Sequence, residues 1–304
     1  MDWTSAQLRS LVELTRRGTV TAVAAALGYT PGGVSQQITA LERATGMELL
    51  RRVGRRVEIT DAGMTLARHA ERILATEAEA VEALERSREE ISGVLRVGLF
   101  ATAAVEILPL ALQQVRLRHP QLGVRSQDMD VDDIYDAVAT GDVDLALGLD
   151  HPDVPIPRDP TLCVRKLYGE RFSLAVPTGT MEGREVVGLA DTRDLTWILP
   201  SAESYYGRAV RTACRRAGLE PDVQHVVTDT ATTLGLVEAG IGVSTVTDLM
   251  LKLRSSRFDV VALRETIERH IVVVFRASAE HRPSIQALVD ILQTAPGAGQ
   301  STPC

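Results

Sequence analysis

The first 45 residues carry apolar side chains at helical spacing, in segments separated by glycines. An apolar face over residues 8–12 follows a capping box formed by Thr4 and Gln7, which predicts a first helix over residues 5–17. Gly18 ends this helix. An alanine-rich stretch follows, and alanine is the composition expected where two helices approach closely.

A second and a third helix are predicted directly after the first. The second covers residues 21–27 and ends at Gly28, in the position of a left-handed glycine. Thr30 and Pro31 supply the N-cap and the first-turn proline of the third helix. Two helices joined by a tight glycine turn and preceded by a packing helix form a helix-turn-helix. The exposed face of the third helix is small and polar, which favours a DNA major groove as its partner; a solvated face is the alternative.

Residues 49–60 predict a β-hairpin, because Val57 and Ile59 alternate with polar residues after Gly54. Arginines surround its tip, which indicates a basic wing beside the third helix. Such arginines neutralise phosphates, and one that protrudes enters a narrow minor groove. The alternative is a solvated, charged hairpin. The wing arginines are Arg51, Arg52, Arg55 and Arg56.

A long amphipathic helix is predicted over residues 61–91, with Thr60 as its cap. The chain beside it is too short to cover its apolar stripe. Two partners remain for that stripe: the same helix of a second subunit, or the carboxy-terminal part of the same chain.

From residue 93 onward strands and helices alternate. Strands at 95–99, 123–127 and 144–149, with helices at 102–118 and 132–140 between them, favour a parallel sheet. A second, similar series and a closing strand and helix follow, with strands at 172–176, 197–199, 223–227, 241–244 and 269–275 and helices at 205–218, 230–239 and 284–294. Two such lobes indicate a hinged pair with a ligand cleft at the strand carboxyl ends. The tail, 295–304, is predicted to be disordered.

Charge adds to this interpretation of the amino terminus. The 304-residue chain has a net charge of −7, but residues 1–66 hold eight arginines against six acidic residues, a net +2. Arginine replaces lysine almost throughout, at all basic positions except Lys166 and Lys252, so genome composition explains the choice of arginine but not its clustering. Without a run of about 18 apolar residues or a signal peptide, the chain is expected in the cytoplasm.

The cleft chemistry indicates binding, not catalysis. The chain has no GxSxG, GxxxxGK[ST] or HExxH motif, and its six histidines show no spacing typical of a catalytic triad or a metal site, so each is expected to be exposed or satisfied. We therefore expect no enzyme, no metal and no cofactor. Cys163, Cys214 and Cys304 are expected to be plain thiols.

Short motifs in the first 63 residues carry a family resemblance: Ala25-Ala26-Leu27-Gly28, Thr30-Pro31-Gly32-Gly33-Val34-Ser35-Gln36-Gln37-Ile38, Leu41-Glu42, Leu49-Leu50-Arg51-Arg52 and Ile59-Thr60-Asp61-Ala62-Gly63. In this order and spacing they resemble the winged helix-turn-helix of LysR-type transcriptional regulators, and a looser likeness extends to about residue 294. Pro31 stands where the family often has Gln, and Leu50 where it has Phe. The operator preference of relatives therefore does not transfer to this chain.

The residues and the resemblance together assign two candidate sites. The DNA-binding candidates are Thr21, Thr30, Pro31, Gly32, Ser35, Gln36, Thr39, Arg43, Arg51, Arg52, Arg55 and Arg56. Effectors of similar regulators bind between the lobes, which makes the candidates there Thr102, Val131, Ser201, Ser204, Tyr205 and Thr228. Each hydroxyl among them is equally consistent with a plain helix cap.

The acids around Val131 disfavour a second carboxylate on the effector. Asp130 and Asp132 flank this position, which is often a hydroxyl residue in relatives that respond to aromatic acids. The ligand is then zwitterionic, or absent. A peroxide-sensing disulfide between Cys163 and Cys214, of the kind some similar regulators have, is not expected.

The fold class we expect is α+β multidomain. It combines a winged helix-turn-helix (1–60), a linker and dimerisation helix (61–91) and a two-lobed, periplasmic-binding-protein-like effector domain (92–294). The resemblance implies a homodimeric or homotetrameric regulator that binds a dyad-symmetric DNA operator and a small-molecule effector, with RNA polymerase as a candidate partner and no membrane. The rival functions are an enzyme on the two-lobed fold and an effector-independent architectural DNA binder.

Overall fold

The structure, a computed structural model, describes residues 2–53, 56–86, 91–157, 159–253 and 257–294. Residues 1–89, with 140–142 and 278–283, form one compact unit, and the remaining residues form a second. In the described ranges, no helix is long and apolar enough to cross a membrane. The predicted disordered tail, 295–304, lies outside these ranges.

The first unit is built from helices and one hairpin. In chain order it contains α1 (Ser5–Arg17), α2 (Val20–Leu27), α3 (Pro31–Thr45), β1 (Leu50–Val53), β2 (Arg56–Ile59) and α4 (Asp61–Arg86). Strands β1 and β2 pair antiparallel, so the predicted helix-turn-helix and hairpin are confirmed.

The helix boundaries of this unit follow from the capping residues. Thr4 and Gln7 exchange both hydrogen bonds of a capping box at the start of α1. Thr30 Oγ1 accepts the Gly33 N–H at 3.1 Å at the start of α3. Gly28 is left-handed, with φ of 68°, and turns the chain from α2 toward α3.

The core of the first unit joins α1, α3 and α4. Leu11, Ile38, Leu41 and Ala70 are buried in one cluster, and burial of such side chains is the main force that holds short helices together. Ile91 lies outside α4, which corrects the predicted end of the long helix. Residues 87–90 lie outside the described part of the chain.

The second unit begins with a mixed five-stranded sheet in the order β4-β3-β5-β13-β6. We call it and its helices the first lobe: β3 (Gly93–Leu99), α5 (Ala101–Glu106), α6 (Leu108–Arg118), β4 (Leu122–Asp128), α7 (Ile134–Thr140), β5 (Leu145–Asp150), β6 (Leu162–Arg171), β13 (Glu268–Arg276) and α11 (Pro283–Thr294). The predicted parallel pairing of β3 with β4 and β5 is confirmed.

The chain between β6 and β13 forms the second lobe. Its elements are β7 (Ser173–Val176), β8 (Val186–Val187), β9 (Thr196–Leu199), α8 (Tyr205–Arg216), β10 (Asp222–Val226), α9 (Thr230–Glu238), β11 (Ser244–Val246), α10 (Asp248–Leu251) and β12 (Asp259–Leu263). The chain crosses between the lobes twice, after β6 and before β13. The two crossing segments are joined by a hydrogen bond of 2.9 Å from the Phe172 N–H to the Ile267 carbonyl.

Most predicted strands and helices of this unit are confirmed, with ends that differ by one or two residues. The single helix at 102–118 is wrong, because Pro109 near the start of α6 lacks the N–H that a continuous helix needs. The strand at 241–244 is also wrong: Gly240 turns the chain with φ of 76°, and β11 begins at Ser244. Helix α7 begins at Ile134, not at Asp132, because residues 130–133 form a turn.

Strands β6, β8 and β12 were not predicted. Strand β6 pairs antiparallel with β13, and β12 pairs antiparallel with β7 and parallel with the short β8, so the sheets are mixed and not purely parallel. None of the three lies in a β-α-β series, and that series was the signal used for the prediction.

Candidate functional sites

The exposed face of α3 presents the predicted DNA-binding side chains together. Gln36, Thr39 and Arg43 are exposed, and none has a hydrogen-bond or ionic partner among the described residues. Ser35 is exposed as well, and its hydroxyl donates to the Pro31 carbonyl at 3.0 Å, which leaves its lone pairs free to accept. The face therefore offers amide, hydroxyl and guanidinium groups to a partner.

The start of α3 is also open. A Cβ at Gly32 would meet no atom within 4 Å, so the helix end is sterically clear. Thr21, Thr30 and Pro31 are exposed too, although the Thr30 hydroxyl is engaged as the helix cap.

A groove of about 890 Å³ lies between α3 and the first strand of the wing. Four of the predicted DNA-binding residues line it: Ser35, Thr39, Arg43 and Arg51. The structure thus brings residues from two sequence segments to one surface.

Glu42 fixes the wing to α3, a role that the sequence analysis did not assign. Its Oε1 accepts the backbone N–H groups of Leu49 and Leu50 at 2.9 and 3.1 Å. Thr60 closes the same end of the hairpin, since its N–H donates to the Leu49 carbonyl at 2.9 Å. One carboxylate thus joins the wing to α3 by hydrogen bonds, beside the apolar contacts of Leu49 with Ile38 and Leu41.

Among the wing arginines, Arg51 is paired within the hairpin. Its Nη2 lies 3.0 Å from Oε2 of Glu58, its cross-strand neighbour. The pair is exposed, and such pairs contribute little free energy, so Arg51 remains free to exchange Glu58 for a phosphate. Arg52 and Arg56 lie in the two strands, but their side chains and all of Arg55 lie outside what the structure describes.

In the first lobe, the predicted effector residues follow the carboxyl ends of two neighbouring parallel strands. Leu99 and Asp128 are paired, and Thr102 and Val131 each lie three residues further on. Thr102 is buried, and its Oγ1 has no hydrogen-bond partner among the described groups. A buried, unsatisfied hydroxyl costs free energy, which a ligand or a water molecule would recover.

The second lobe places the other candidates at an equivalent edge. Leu199 and Val226 are paired in β9 and β10, and Ser201 and Thr228 each lie two residues beyond. Ser204 Oγ accepts the Gly207 N–H at 3.0 Å, so its hydroxyl caps α8. Ser201 Oγ accepts the Glu203 N–H at 3.2 Å, and Thr228 is exposed.

A carboxylate of the first lobe reaches the start of α8. Asp132 Oδ1 accepts the Tyr205 N–H at 3.4 Å, which places a negative charge where the helix dipole favours one. Burial raises the pKa of Asp132, and the neighbouring Asp130 adds to the effect, while the hydrogen bond from Tyr205 opposes it. The Arg208 guanidinium lies over the ring of Tyr205, 4.3 Å from the ring centroid.

The expectation that every histidine is exposed or satisfied is wrong for His151. This side chain is buried where the lobes meet, and neither ring nitrogen makes a hydrogen bond of regular geometry with the described groups. Its ring lies parallel to that of Tyr206, with centroids 6.1 Å apart. Burial, together with the positive charge of Arg269, lowers the pKa of His151 to about 4. The imidazole is therefore neutral at pH 7.

The two described cysteines are free thiols in different lobes. Cys163 lies in β6 and Cys214 is buried in α8. Burial raises the pKa of the Cys214 thiol to about 12, so its reactive thiolate is scarce at pH 7. Cys304 lies outside the described residues.

Comparisons with known proteins agree with this arrangement. Residues 5–64 match the family model of the bacterial regulatory helix-turn-helix protein, LysR family, and residues 88–296 match the LysR substrate binding domain. The chain is 31% identical to the HTH-type transcriptional regulator ClcR of Pseudomonas putida, over 79% of this chain and 81% of that protein.

Solved structures share the fold. A full-length variant of OxyR from Pseudomonas aeruginosa superposes with a TM-score of 0.72 at 18% identity, covering 99% of this chain and 98% of that one. Full-length CbnR in complex with its target DNA superposes with a TM-score of 0.56 at 24% identity, covering 95% and 98%.

A helix-turn-helix unit followed by a two-lobed binding unit defines a DNA-binding transcriptional regulator with an effector-binding domain. The chain belongs to the LysR family.

Proposed function

We propose that this regulator reads a dyad-symmetric operator through α3 and the wing. The observation that carries the proposal is the groove in which Ser35, Thr39, Arg43 and Arg51 lie together. Gln36 and Thr39 are suited to base edges, because amide and hydroxyl groups match the donors and acceptors of the major groove. The arginines are suited to phosphates and to the minor groove.

Dimerisation through α4 is the second part of the proposal. Met64 and Ile73 on this helix are 46% and 42% exposed, whereas Ala67 and Ala70 are buried. A second α4 would cover such apolar surface, and two copies would present two α3 helices to two half-sites. Assembly of two dimers into a tetramer, and contact with RNA polymerase, belong to the same proposal.

The effector is proposed to bind between the two strand edges that carry Thr102, Val131, Ser201, Ser204, Tyr205 and Thr228. The buried, unsatisfied hydroxyl of Thr102 supports this location. The Asp132 carboxylate already accepts one N–H at the start of α8. Its negative charge disfavours a ligand carboxylate there and favours a ligand with an amine. The effector shifts promoter binding only if it prefers one arrangement of the protein.

The same contact favours a second candidate function. If the Asp132 carboxylate serves in place of an effector, the chain acts as an effector-independent DNA-binding protein. A thermal-shift screen with amines, amino acids and carboxylic acids separates the two functions. Stabilisation by a ligand without product formation supports the effector hypothesis and opposes an enzyme.

We further propose that the protein catalyses no reaction and acts in the cytoplasm, where its operator lies. The proposed domains are residues 1–60 for DNA binding, 61–91 for dimerisation and 92–294 for effector binding. Support comes from the two family models, which match residues 5–64 and 88–296.

Fluorescence anisotropy with duplex DNA tests the DNA-binding surface. Removing one phosphate contact by Arg55→Ala is expected to weaken binding to every duplex and to lower the salt slope by about one unit. Arg118→Ala is the matched control, because Arg118 is an exposed arginine in the second unit. An unchanged slope for Arg55→Ala, or an equal drop for the control, would contradict the wing assignment.

A further inference from the structure

Two oppositely charged side chains are buried where the chain passes between the lobes. Glu170 and Arg269 are cross-strand neighbours in β6 and β13, with 9% and 5% of their side chains exposed. Arg269 Nε donates to Glu170 Oε2 at 2.8 Å, and Arg269 Nη2 lies 2.7 Å from the same oxygen. These are the strand ends next to the crossings at Phe172 and Ile267.

Each member of the pair also binds the second lobe. Arg269 Nη2 donates to Thr247 Oγ1 at 2.8 Å, and the Leu249 N–H donates to Glu170 Oε1 at 3.0 Å. Thr247 is the cap of α10, and Leu249 lies in its first turn. Both ends of the ion pair therefore hold the same short helix.

The far side of Arg269 faces the aromatic rings at the crossing. Its guanidinium lies 5.7 Å from the centroid of Phe172, and the Phe172 and Tyr206 rings are 5.3 Å apart. Tyr206 belongs to α8, and its hydroxyl donates to the Thr245 carbonyl at 2.8 Å. The aromatic rings at the crossing thus lie against Arg269, on α8 as well as on the crossing segment.

Helix α10 has another attachment to the first lobe. Lys252 Nζ, just beyond α10, lies 3.4 Å from Oε2 of Glu106 at the end of α5. Helix α5 also carries Thr102, the buried hydroxyl assigned to the effector site. The segment that contains α10 therefore contacts both the crossing and the helix that would meet an effector.

We propose that Glu170 and Arg269 are positioning residues that set the orientation of the second lobe by holding α10. The stability of the sheet does not explain why these two residues are charged, because a buried ion pair is often no more stabilising than an apolar pair of similar size. The ion pair instead fixes a geometry. Arg269 can donate to Thr247, and Glu170 can accept from Leu249, only when these two residues hold one position relative to the pair.

The next rung of the same two strands offers a matched control. Arg171 and Glu268 are cross-strand neighbours, with Nε and Oε1 3.7 Å apart. Their side chains are 71% and 43% exposed. Arg171 Nη2 donates to Thr266 Oγ1 at 2.6 Å, beside the crossing and not on α10. This pair also joins one arginine and one glutamate across the same two strands, with the signs of charge exchanged, whereas the contacts that hold α10 come from Glu170 and Arg269.

Hydrogen exchange on the full-length protein, followed by mass spectrometry, tests the proposal. For Glu170→Gln and Arg269→Met, amides of α10 are expected to exchange about tenfold faster, as expected when one charge-assisted hydrogen bond is lost. Exchange in the middle of β6 and β13 should stay unchanged. Glu268→Gln should leave all three segments as in the unmodified protein.

Two results would overturn the proposal. One is faster exchange in β6 and β13 with α10 unaffected, which would make the pair a component of the sheet alone. The other is an equal effect of Glu268→Gln on α10.

A second pair of variants covers the case in which the charge variants do not fold. Glu170→Asp keeps the negative charge opposite Arg269 but shortens the side chain that accepts the Leu249 N–H, whereas Glu268→Asp makes the same change in the exposed pair. Faster α10 exchange in the first variant but not in the second supports the proposal, and equal exchange in both opposes it.

Discussion

The DNA-facing surface and the junction between the lobes are built in opposite ways. Gln36, Thr39 and Arg43 lie exposed on one helix, without partners among the described residues. At the junction, Glu170 and Arg269 are buried and bind each other and the second lobe. The first surface is available to a partner, whereas the second is already occupied by the protein itself.

This difference predicts where a substitution affects stability and where it affects function. Exposed side chains without partners contribute little to the folded state, so changing them should alter DNA binding alone. Buried polar groups that hold two lobes together contribute through geometry, so changing them should alter stability and lobe orientation.

The largest effect is expected from a pair of glycine substitutions. In Gly207→Ala the new Cβ would overlap the Ser201 carbonyl oxygen at the start of α8, and the backbone would have to move. We expect a loss of about 3 kcal/mol in the free energy of unfolding, measured by urea titration. Gly32→Ala, on the open start of α3, should leave stability within about 0.5 kcal/mol. Equal losses in both variants would abolish the contrast between the two regions.

The next effect concerns pH. The folded-state pKa of His151 is lowered to about 4 from 6.5, so below pH 6.5 the unfolded chain binds the proton more readily than the folded protein. This contribution to the free energy of unfolding is present above pH 6.5 and is lost as the pH falls toward 4, by about 3 kcal/mol. His151→Leu should flatten the dependence on pH in this window.

The exposed His281 provides the control for that experiment. His281→Gln should retain the full loss of unfolding free energy between pH 6.5 and pH 4. If His151→Leu kept it too, His151 would not be the group that titrates.

The smallest effect on stability is expected at the base of the wing. Glu42→Ala leaves the Leu49 and Leu50 N–H groups without their acceptor, which should cost about 1 kcal/mol because water partly replaces it. Affinity for duplex DNA should fall more than stability does, since the hydrogen bonds that orient the wing relative to α3 are lost. Glu42→Gln retains an acceptor oxygen and should bind DNA nearly as the unmodified protein does. Equal losses of affinity in both variants would exclude this positioning role.

Local signals made the first region predictable. The Thr4–Gln7 capping box, the Thr30 cap and the Gly28 turn are contacts between residues at most a few positions apart, and all are present in the structure. The polar face of α3 follows from its helical periodicity. The role of Glu42 could not be predicted, because its partners are the backbone N–H groups of Leu49 and Leu50, which no sequence motif marks.

The junction could not be predicted in the same way. His151, Glu170, Tyr206 and Arg269 come from separate segments, and only the pairing of β6 with β13 and the packing of α8 bring them together. Strand β6 was itself missed, so the position of Glu170 opposite Arg269 had no sequence signal. The placement of Thr102, Ser201 and Thr228 just beyond strand ends was predictable, because strand ends in α/β sheets are local features.

A hydroxyl-radical footprint of the full-length protein on its operator is the most direct test of the central claim, that two α3 helices enter one duplex. The account predicts two protected half-sites related by a dyad and separated by one helical turn or a multiple of it. Loss of both half-sites together in Gln36→Ala would place α3 at the bases. A single protected stretch without a dyad, or a footprint that Gln36→Ala leaves unchanged, would contradict it.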